Sequence, residues 1–302
     1  MAAVEWGGTL KRIFQNGNGS HAEQPRAARN GHGQPEDGAV QPTVADDVGD
    51  ATVSRGVLTA STGPESMVFS RSDTRGPADE SLRVLAHRLH RIRERRPMKT
   101  LVVTSATPKE GKTVVAVNLA ATLAANSGRV ALIDGDLRCA SVPGVLGVPV
   151  LPGFAEWLEE EQTLEESLLP VTPLSFDLLQ AGVAKRNPAE LLQSPRLKEM
   201  AMTLGSKYDW IVIDTPPIAP FVDAQCMAAA ADAVIVVVRA GHTSRENVER
   251  TLESLKDVYV AGIVLNGADA EHSPYYKYYA QYRSNGALAA AAVSTGGRAG
   301  HD

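Results

Sequence analysis

The stretch Leu101-Val102-Val103-Thr104-Ser105-Ala106-Thr107-Pro108-Lys109-Glu110-Gly111-Lys112-Thr113 decides the fold. Residues 101–104 form an apolar, largely β-branched run that reads as a buried strand. Ala106 to Thr113 follows with the spacing of a phosphate-binding P-loop, with alanine in place of the first glycine. Residues 113–125 read as a helix, with Gly128 as its stop. A loop between a buried strand and a helix N-terminus turns backbone N–H groups and the positive end of the helix dipole toward one point, and that point suits an anion. Lys112 is placed to reach the β- and γ-phosphates of ATP, and Thr113 to offer its hydroxyl to Mg2+. The nucleotide-binding candidates here are Thr107, Pro108, Lys109, Glu110, Gly111, Lys112, Thr113 and Val114.

Further along, short apolar runs alternate with helical stretches. Strands are predicted at 130–133, 176–179, 211–213, 233–238 and 263–265. Asn187-Pro188 opens a helix over 189–204, with proline where the first turn tolerates it. Thr243 and Glu246 form a capping box before a helix lined by Val248, Leu252 and Leu255. Strands without clean alternation, separated by helices, indicate an α/β fold: a mostly parallel central sheet with helices on both faces. Upstream, Leu82, Leu85, Leu89 and Ile92 share one face of a helix that starts at Ala78-Asp79-Glu80 and stops at Pro97. Arg83, Arg88, Arg91, Arg93, Arg95 and Arg96 occupy the rest of it. They make either a solvated basic face or a surface for a partner subunit or anionic lipid.

Two more strand ends carry carboxylates: Asp134-Gly135-Asp136-Leu137-Arg138 and Asp214-Thr215-Pro216-Pro217. An aspartate after a strand is ordinarily a turn residue or a cap. In open parallel sheets, however, ligands sit beyond the carboxyl ends of the strands, so these two clusters converge on the phosphate loop. Buried carboxylates are costly unless paired or metal-bound, and Mg2+ carrying ATP phosphates supplies the charge. Thr113, Asp134, Asp136 and Asp214 are therefore the metal candidates.

The chain has 302 residues, 43% hydrophobic, and a formal charge of −5. That is enough to bury a sizeable core, and no bulk charge points to nucleic acid. Two cysteines, Cys139 and Cys226, cannot build a disulfide framework and suit a reducing cytosol. No apolar run approaches the length of a membrane span. Residues 1–77 read as a disordered N-terminal region, because 16–50 are crowded with Gly, Asn, Pro, Gln and acids. Leu10-Lys11-Arg12-Ile13-Phe14 within it is either a docking peptide or chance hydrophobicity. An ATP-binding domain over 78–271 follows, then a flexible tail over 272–302. The tail holds five of the seven tyrosines, Tyr275, Tyr276, Tyr278, Tyr279 and Tyr282. Aromatic runs usually pack in a core, but this one lacks aliphatic partners, which favours a phosphorylation substrate.

These motifs together resemble the bacterial tyrosine autokinases (BY-kinases) of capsule and exopolysaccharide synthesis. The resemblance covers residues 78–283. It rests on the Pro-x-Glu-Gly-Lys-Thr loop as Walker A, residues 131–138 as Walker A′, residues 211–217 as Walker B, residues 187–192 and the tyrosine cluster. It implies a P-loop NTPase fold and an ATP- and Mg2+-dependent protein-tyrosine kinase that autophosphorylates its tail. Asp134 is then the base for the tyrosine hydroxyl, and Lys112, Asp136 and Asp214 complete the catalytic set. Arg138 is among the nucleotide-contacting residues, and Asn266 lies near the adenine. The resemblance also implies a homo-oligomeric ring through the Glu80–Arg83 helix, and a membrane activator of the polysaccharide co-polymerase type that recruits a cytoplasmic kinase. Three departures stand out. The family's Glu-x-x-Arg-x-x-Arg ends here in Ala86, with Arg88 two residues on. Lys109 replaces a frequent glycine. Cys139-Ala140 replaces Arg-Pro. A partitioning or division-site switch ATPase shares the fold, but its signature lysine falls where this chain has Thr107. A non-catalytic ATP-binding scaffold is the other alternative, and the intact Lys112, Asp134, Asp136 and Asp214 argue against it.

Overall fold

The computed structural model of the chain describes residues 3–5, 56–62, 67–68, 77–126 and 128–268. Its strands are β1 (Ala3–Glu5), β2 (Leu58–Thr59), β3 (Thr100–Ser105), β4 (Val130–Asp134), β5 (Leu168–Thr172), β6 (Phe176–Leu179), β7 (Trp210–Asp214), β8 (Ala233–Arg239) and β9 (Val260–Asn266). Its helices are α1 (Pro77–Arg95), α2 (Lys112–Ala125), α3 (Val142–Leu146), α4 (Phe154–Leu158), α5 (Leu164–Ser167), α6 (Pro188–Leu192), α7 (Arg196–Lys207), α8 (Val222–Ala230) and α9 (Arg245–Ser254). Among the described residues the strands form one sheet in the order β1-β9-β8-β3-β7-β4-β6-β5-β2. All neighbours run parallel except β1 with β9 and β5 with β6.

The central strands are apolar throughout because both of their faces are covered. Leu101, Val103, Leu132, Val212, Ile235 and Val237 pack into one core with Leu82, Leu85 and Leu89 of α1 and Leu119 of α2. Val102, Ile133, Ile211, Ile213, Val234 and Val236 point the other way, into a second core with Leu197, Met200 and Leu204 of α7. The period of two is thus present but hidden, since each face meets helices rather than water.

Several boundaries differ from those read in the sequence. The helix predicted over 189–204 is two helices. Asn187 caps α6 by accepting the Ala189 N–H at 3.1 Å, and Pro195 then stands as the N-cap of α7. Proline removes a ladder donor and disfavours helical backbone in the residue before it, so the chain breaks there. The cap of α9 is Ser244, which accepts the Asn247 N–H at 3.2 Å, and not Thr243. Two strands and a buried patch fall inside the segment read as disordered: β1 pairs with β9, β2 pairs with β5, and Leu58, Ala60 and Val68 are buried. Patch Leu10–Phe14 lies outside the described residues. The basic face of α1 is partly used within the domain. The Arg93 guanidinium lies 4.9 Å from the centre of the Trp210 ring, and that of Arg96 4.4 Å from Tyr259. Arg83 pairs with Asp79 at 3.1 Å, and Ala86 is buried against the core.

Candidate nucleotide site

The strand order sets the site. β3 lies beside β7, and β7 beside β4, with Val103 opposite Asp214 and Asp214 opposite Asp134. Adjacent strands are about 4.8 Å apart. The phosphate loop leaving β3 and both aspartate clusters therefore end at one edge of the sheet. The turn after β7 is fastened to β3: the Thr215 N–H donates to Val103 O at 3.1 Å and the Ile218 N–H to Ser105 O at 3.0 Å. Gly135 is required where the β4 turn presses on β7. A Cβ there would meet the Asp214 carbonyl at 2.8 Å and Met227 Sδ at 2.6 Å.

Helix α2 begins at Lys112 behind Gly111, which has φ +88°, and no side chain caps it. Its first-turn N–H groups have no acceptor within the helix, which leaves an anion site at its positive end. Lys112 Nζ donates to Asp136 Oδ2 at 3.1 Å. Burial works against the charge on Lys112, yet Asp214 and Asp136 hold its pKa above the ordinary lysine value. Val114 follows in the first turn, with its carbonyl accepting from Asn118 Nδ2 at 2.8 Å.

Asp134 and Asp214 are wholly buried. Asp134 accepts the Asp136 N–H at 3.3 Å on one oxygen and the Val142 N–H at 3.1 Å on the other. Burial and the neighbouring Asp214 push its carboxyl up to about 7. Among the described residues neither oxygen of Asp214 makes a well-formed hydrogen bond, although the Thr113 hydroxyl and the Thr215 N–H lie near enough to favour its charged form. Burial raises its carboxyl to about 6, against the pull of Lys112. A buried acid of this kind has an unmet need for a cation. Among the described residues no three His, Cys, Asp or Glu side chains converge as an all-protein metal cage. That donor set fits Mg2+, which characteristically takes one or two carboxylates together with substrate phosphates and water.

Other predicted residues are engaged differently. Thr107 gives its N–H and its hydroxyl to the Glu110 carboxylate at 3.1 and 3.0 Å, so both side chains shape the loop from within. Pro108 and Lys109 are exposed at its rim. Arg138 makes a two-point pair with buried Asp223, at 2.7 and 3.1 Å, and lies 4.7 Å over Phe221. Its guanidinium is thereby tied to α8. Asn266 donates from Nδ2 to the Glu110 carbonyl at 2.9 Å, which puts it against the phosphate loop. The five tail tyrosines lie outside the described residues. Sequence reasoning missed Ser141, whose hydroxyl is 2.7 Å from that of Thr113, as well as Asp223 and Thr243. No local pattern marks them, because their partners are distant in the chain.

Comparison with known proteins agrees with this geometry. Residues 97–293 match the family model of ParA-type proteins described as NUBPL iron-transfer P-loop NTPase. The chain is 34% identical to the tyrosine-protein kinase YwqD of Bacillus subtilis over 186 residues, which is 61% of this chain and 78% of that one. It is 32% identical to the tyrosine-protein kinase Wzc of Salmonella typhimurium over 69% of its own length, but spans only 30% of that longer relative. The kinase domain of Escherichia coli tyrosine kinase ETK superimposes with a TM-score of 0.60 at 29% identity, covering 62% of this chain and 74% of that one. Among the described residues no helix is long and apolar enough to cross a membrane. The chain belongs to the ParA-type P-loop NTPases and, within them, sits with the bacterial tyrosine-protein kinases it matches.

Proposed function

We propose that this chain is an Mg-ATP-dependent protein-tyrosine kinase that phosphorylates the tyrosine cluster of its own C-terminal tail. The carrying observation is the meeting of an uncapped helix N-terminus, Lys112 and two wholly buried aspartates on three adjacent strands. Mg2+, when bound, neutralises charge on the phosphate oxygens. Thr113, Asp136 and Asp214 would hold it, partly through water, with Asp134 close by. Lys112 moves from Asp136 to the β- and γ-phosphates. Asp134, oriented by two backbone N–H groups, accepts the tyrosine hydroxyl proton. Such chemistry needs positioning and charge neutralisation rather than covalent help.

The tail reaches its site from a neighbouring copy. Residues 267–274 give about 28 Å of extended span. The subunits associate through the Glu80–Arg83 face of α1, and a membrane protein of the polysaccharide co-polymerase type recruits and activates them. Each phosphate adds about −1.5 to −2 charges, so phosphorylated tails repel one another and loosen the assembly. Sizing the protein before and after ATP treatment tests this, and an unchanged oligomer overturns it.

Incubation with Mg-ATP, with phosphate mapped by mass spectrometry, tests the kinase itself. Phosphotyrosine within residues 275–282 that disappears in Lys112→Met is the expected result. ATP hydrolysis without phosphotyrosine, even with an activator segment supplied, would instead assign a switch ATPase.

A further inference from the structure

Glu110 is a charged residue with no exposed surface, placed in a loop whose preceding two residues, Pro108 and Lys109, are exposed. Its carboxylate accepts the Thr107 N–H at 3.1 Å, the Thr107 hydroxyl at 3.0 Å and the Thr243 hydroxyl. Among the described residues no cation pairs with it; its donors are neutral. Thr243 Oγ1 also accepts the Arg239 N–H at 3.0 Å, Arg239 donates to the Lys109 carbonyl at 3.3 Å, and Asn266 donates to the Glu110 carbonyl at 2.9 Å. The loop is thus fastened from outside by the ends of β8 and β9.

A buried carboxylate held by neutral donors is costly, and such an arrangement persists where it specifies a shape. The residues on either side of Glu110 are both left-handed: Lys109 has φ +64° and Gly111 φ +88°. For a residue with a side chain this conformation costs on the order of 1–2 kcal/mol and survives only when its surroundings impose it. The Thr107 N–H is consumed by Glu110 and Pro108 has none, so the N–H groups left to face an anion begin at Lys109. We propose that Glu110 is a positioning residue: its carboxylate, clamped between Thr107 and Thr243, holds the phosphate loop in the shape that accepts a nucleotide triphosphate and ties that shape to the turn after β8. This rests on the reading of the site as an Mg-ATP site. Glu110 acts through the backbone and touches no reacting atom.

The test is Mg-ATP binding by titration calorimetry and ATP-dependent kinetics on the full chain. Thr243→Val removes one donor from outside the loop, and Thr243→Ser keeps the hydroxyl. The expected result is about tenfold weaker binding in Thr243→Val, equivalent to about 1.4 kcal/mol. KM for ATP rises by a similar factor, kcat at saturation is retained, and Thr243→Ser is restored to the parent values. Glu110→Ala, which removes the acceptor of all three bonds, likewise weakens Mg-ATP binding and decides the matter if Thr243→Val does not fold. A folded Thr243→Val with unchanged affinity, beside a parent protein that binds, overturns the clamp alone. A parent protein that takes up no Mg-ATP overturns the site reading, and the clamp with it.

Discussion

Asp214 is a site residue whose environment is unfavourable to its own charge. It is wholly buried, and among the described residues neither oxygen makes a well-formed hydrogen bond. Its carboxyl is raised to about 6 and that of Asp134 to about 7, chiefly by burial. For both groups the folded pKa lies above the unfolded one, so the folded state holds extra protons between about pH 4 and 7. The stability that these protons confer is present below that window and is lost as pH rises through it. The nucleotide-free protein should therefore melt lower at pH 8 than at pH 5.5, and Asp214→Asn should flatten that slope. At pH 8 the variant should unfold with about 2 kcal/mol more stability than the parent, yet lose Mg2+-dependent ATP binding. A parent and variant with identical pH-dependent melts would refute this account. Gly111 makes the opposite kind of demand. It has φ +88°, and a Cβ there would sit 2.1 Å from Asn266 Nδ2, so a side chain at 111 displaces Asn266. Gly111→Ala should cost about 2 kcal/mol in chemical denaturation and weaken ATP binding, since left-handed strain adds to the loss of the Asn266 bond to Glu110 when that side chain gives way.

At the scale of elements, α1 shows how one helix serves the interior with both its apolar and its basic sides. Leu82, Leu85, Ala86 and Leu89 have no exposed surface. Leu89→Ala should cost about 3 kcal/mol in urea unfolding, as deletions of buried leucine side chains do. The basic side spreads over aromatic rings: Arg93 covers Trp210, and His90 meets the same ring edge-on with centroids 5.3 Å apart. Arg93→Ala should lower stability by about 0.5–1 kcal/mol and shift Trp210 emission, while Arg91→Ala, paired only with Glu94 at 3.6 Å on the surface, should do neither. Equal effects of the two substitutions would show that the ring contact contributes nothing. The apolar stripe of α1 is legible as a 3.6-residue period in the sequence. The destination of its arginines is not, because Trp210 and Tyr259 lie more than a hundred residues away.

Across the whole molecule, the sheet is completed by segments far from the nucleotide site. Residues 56–62 carry β2 along β5 and bury Leu58 and Ala60, while at 67–68 Val68 is buried and the Met67 carbonyl lies 2.8 Å from Asn118 Nδ2 on α2. A chain beginning at residue 56 should keep these contacts, whereas one beginning at residue 69 should lose them and melt several degrees lower, by about 2 kcal/mol of lost burial. Matching melts for the two truncations would mean that the segment adds no stability. Reading 1–77 as disordered from the composition of residues 16–50 passed over this arm, since Leu58, Ala60 and Val68 become meaningful only once β5 and α2 stand beside them.

Local physics alone determined the phosphate loop, the aspartate-bearing strand ends and the parallel α/β sheet. A strand, a Gly-Lys-Thr turn and a helix start are neighbours in sequence, and fully apolar strands require cover on both faces. Tertiary structure alone decided that Asp134 and Asp214 face each other on adjoining strands, that Arg138 is taken up by Asp223, and that Glu110 and Asn266 brace the loop. Those relations join residues up to 156 positions apart. Strand order, which no local pattern encodes, is what brings them into contact.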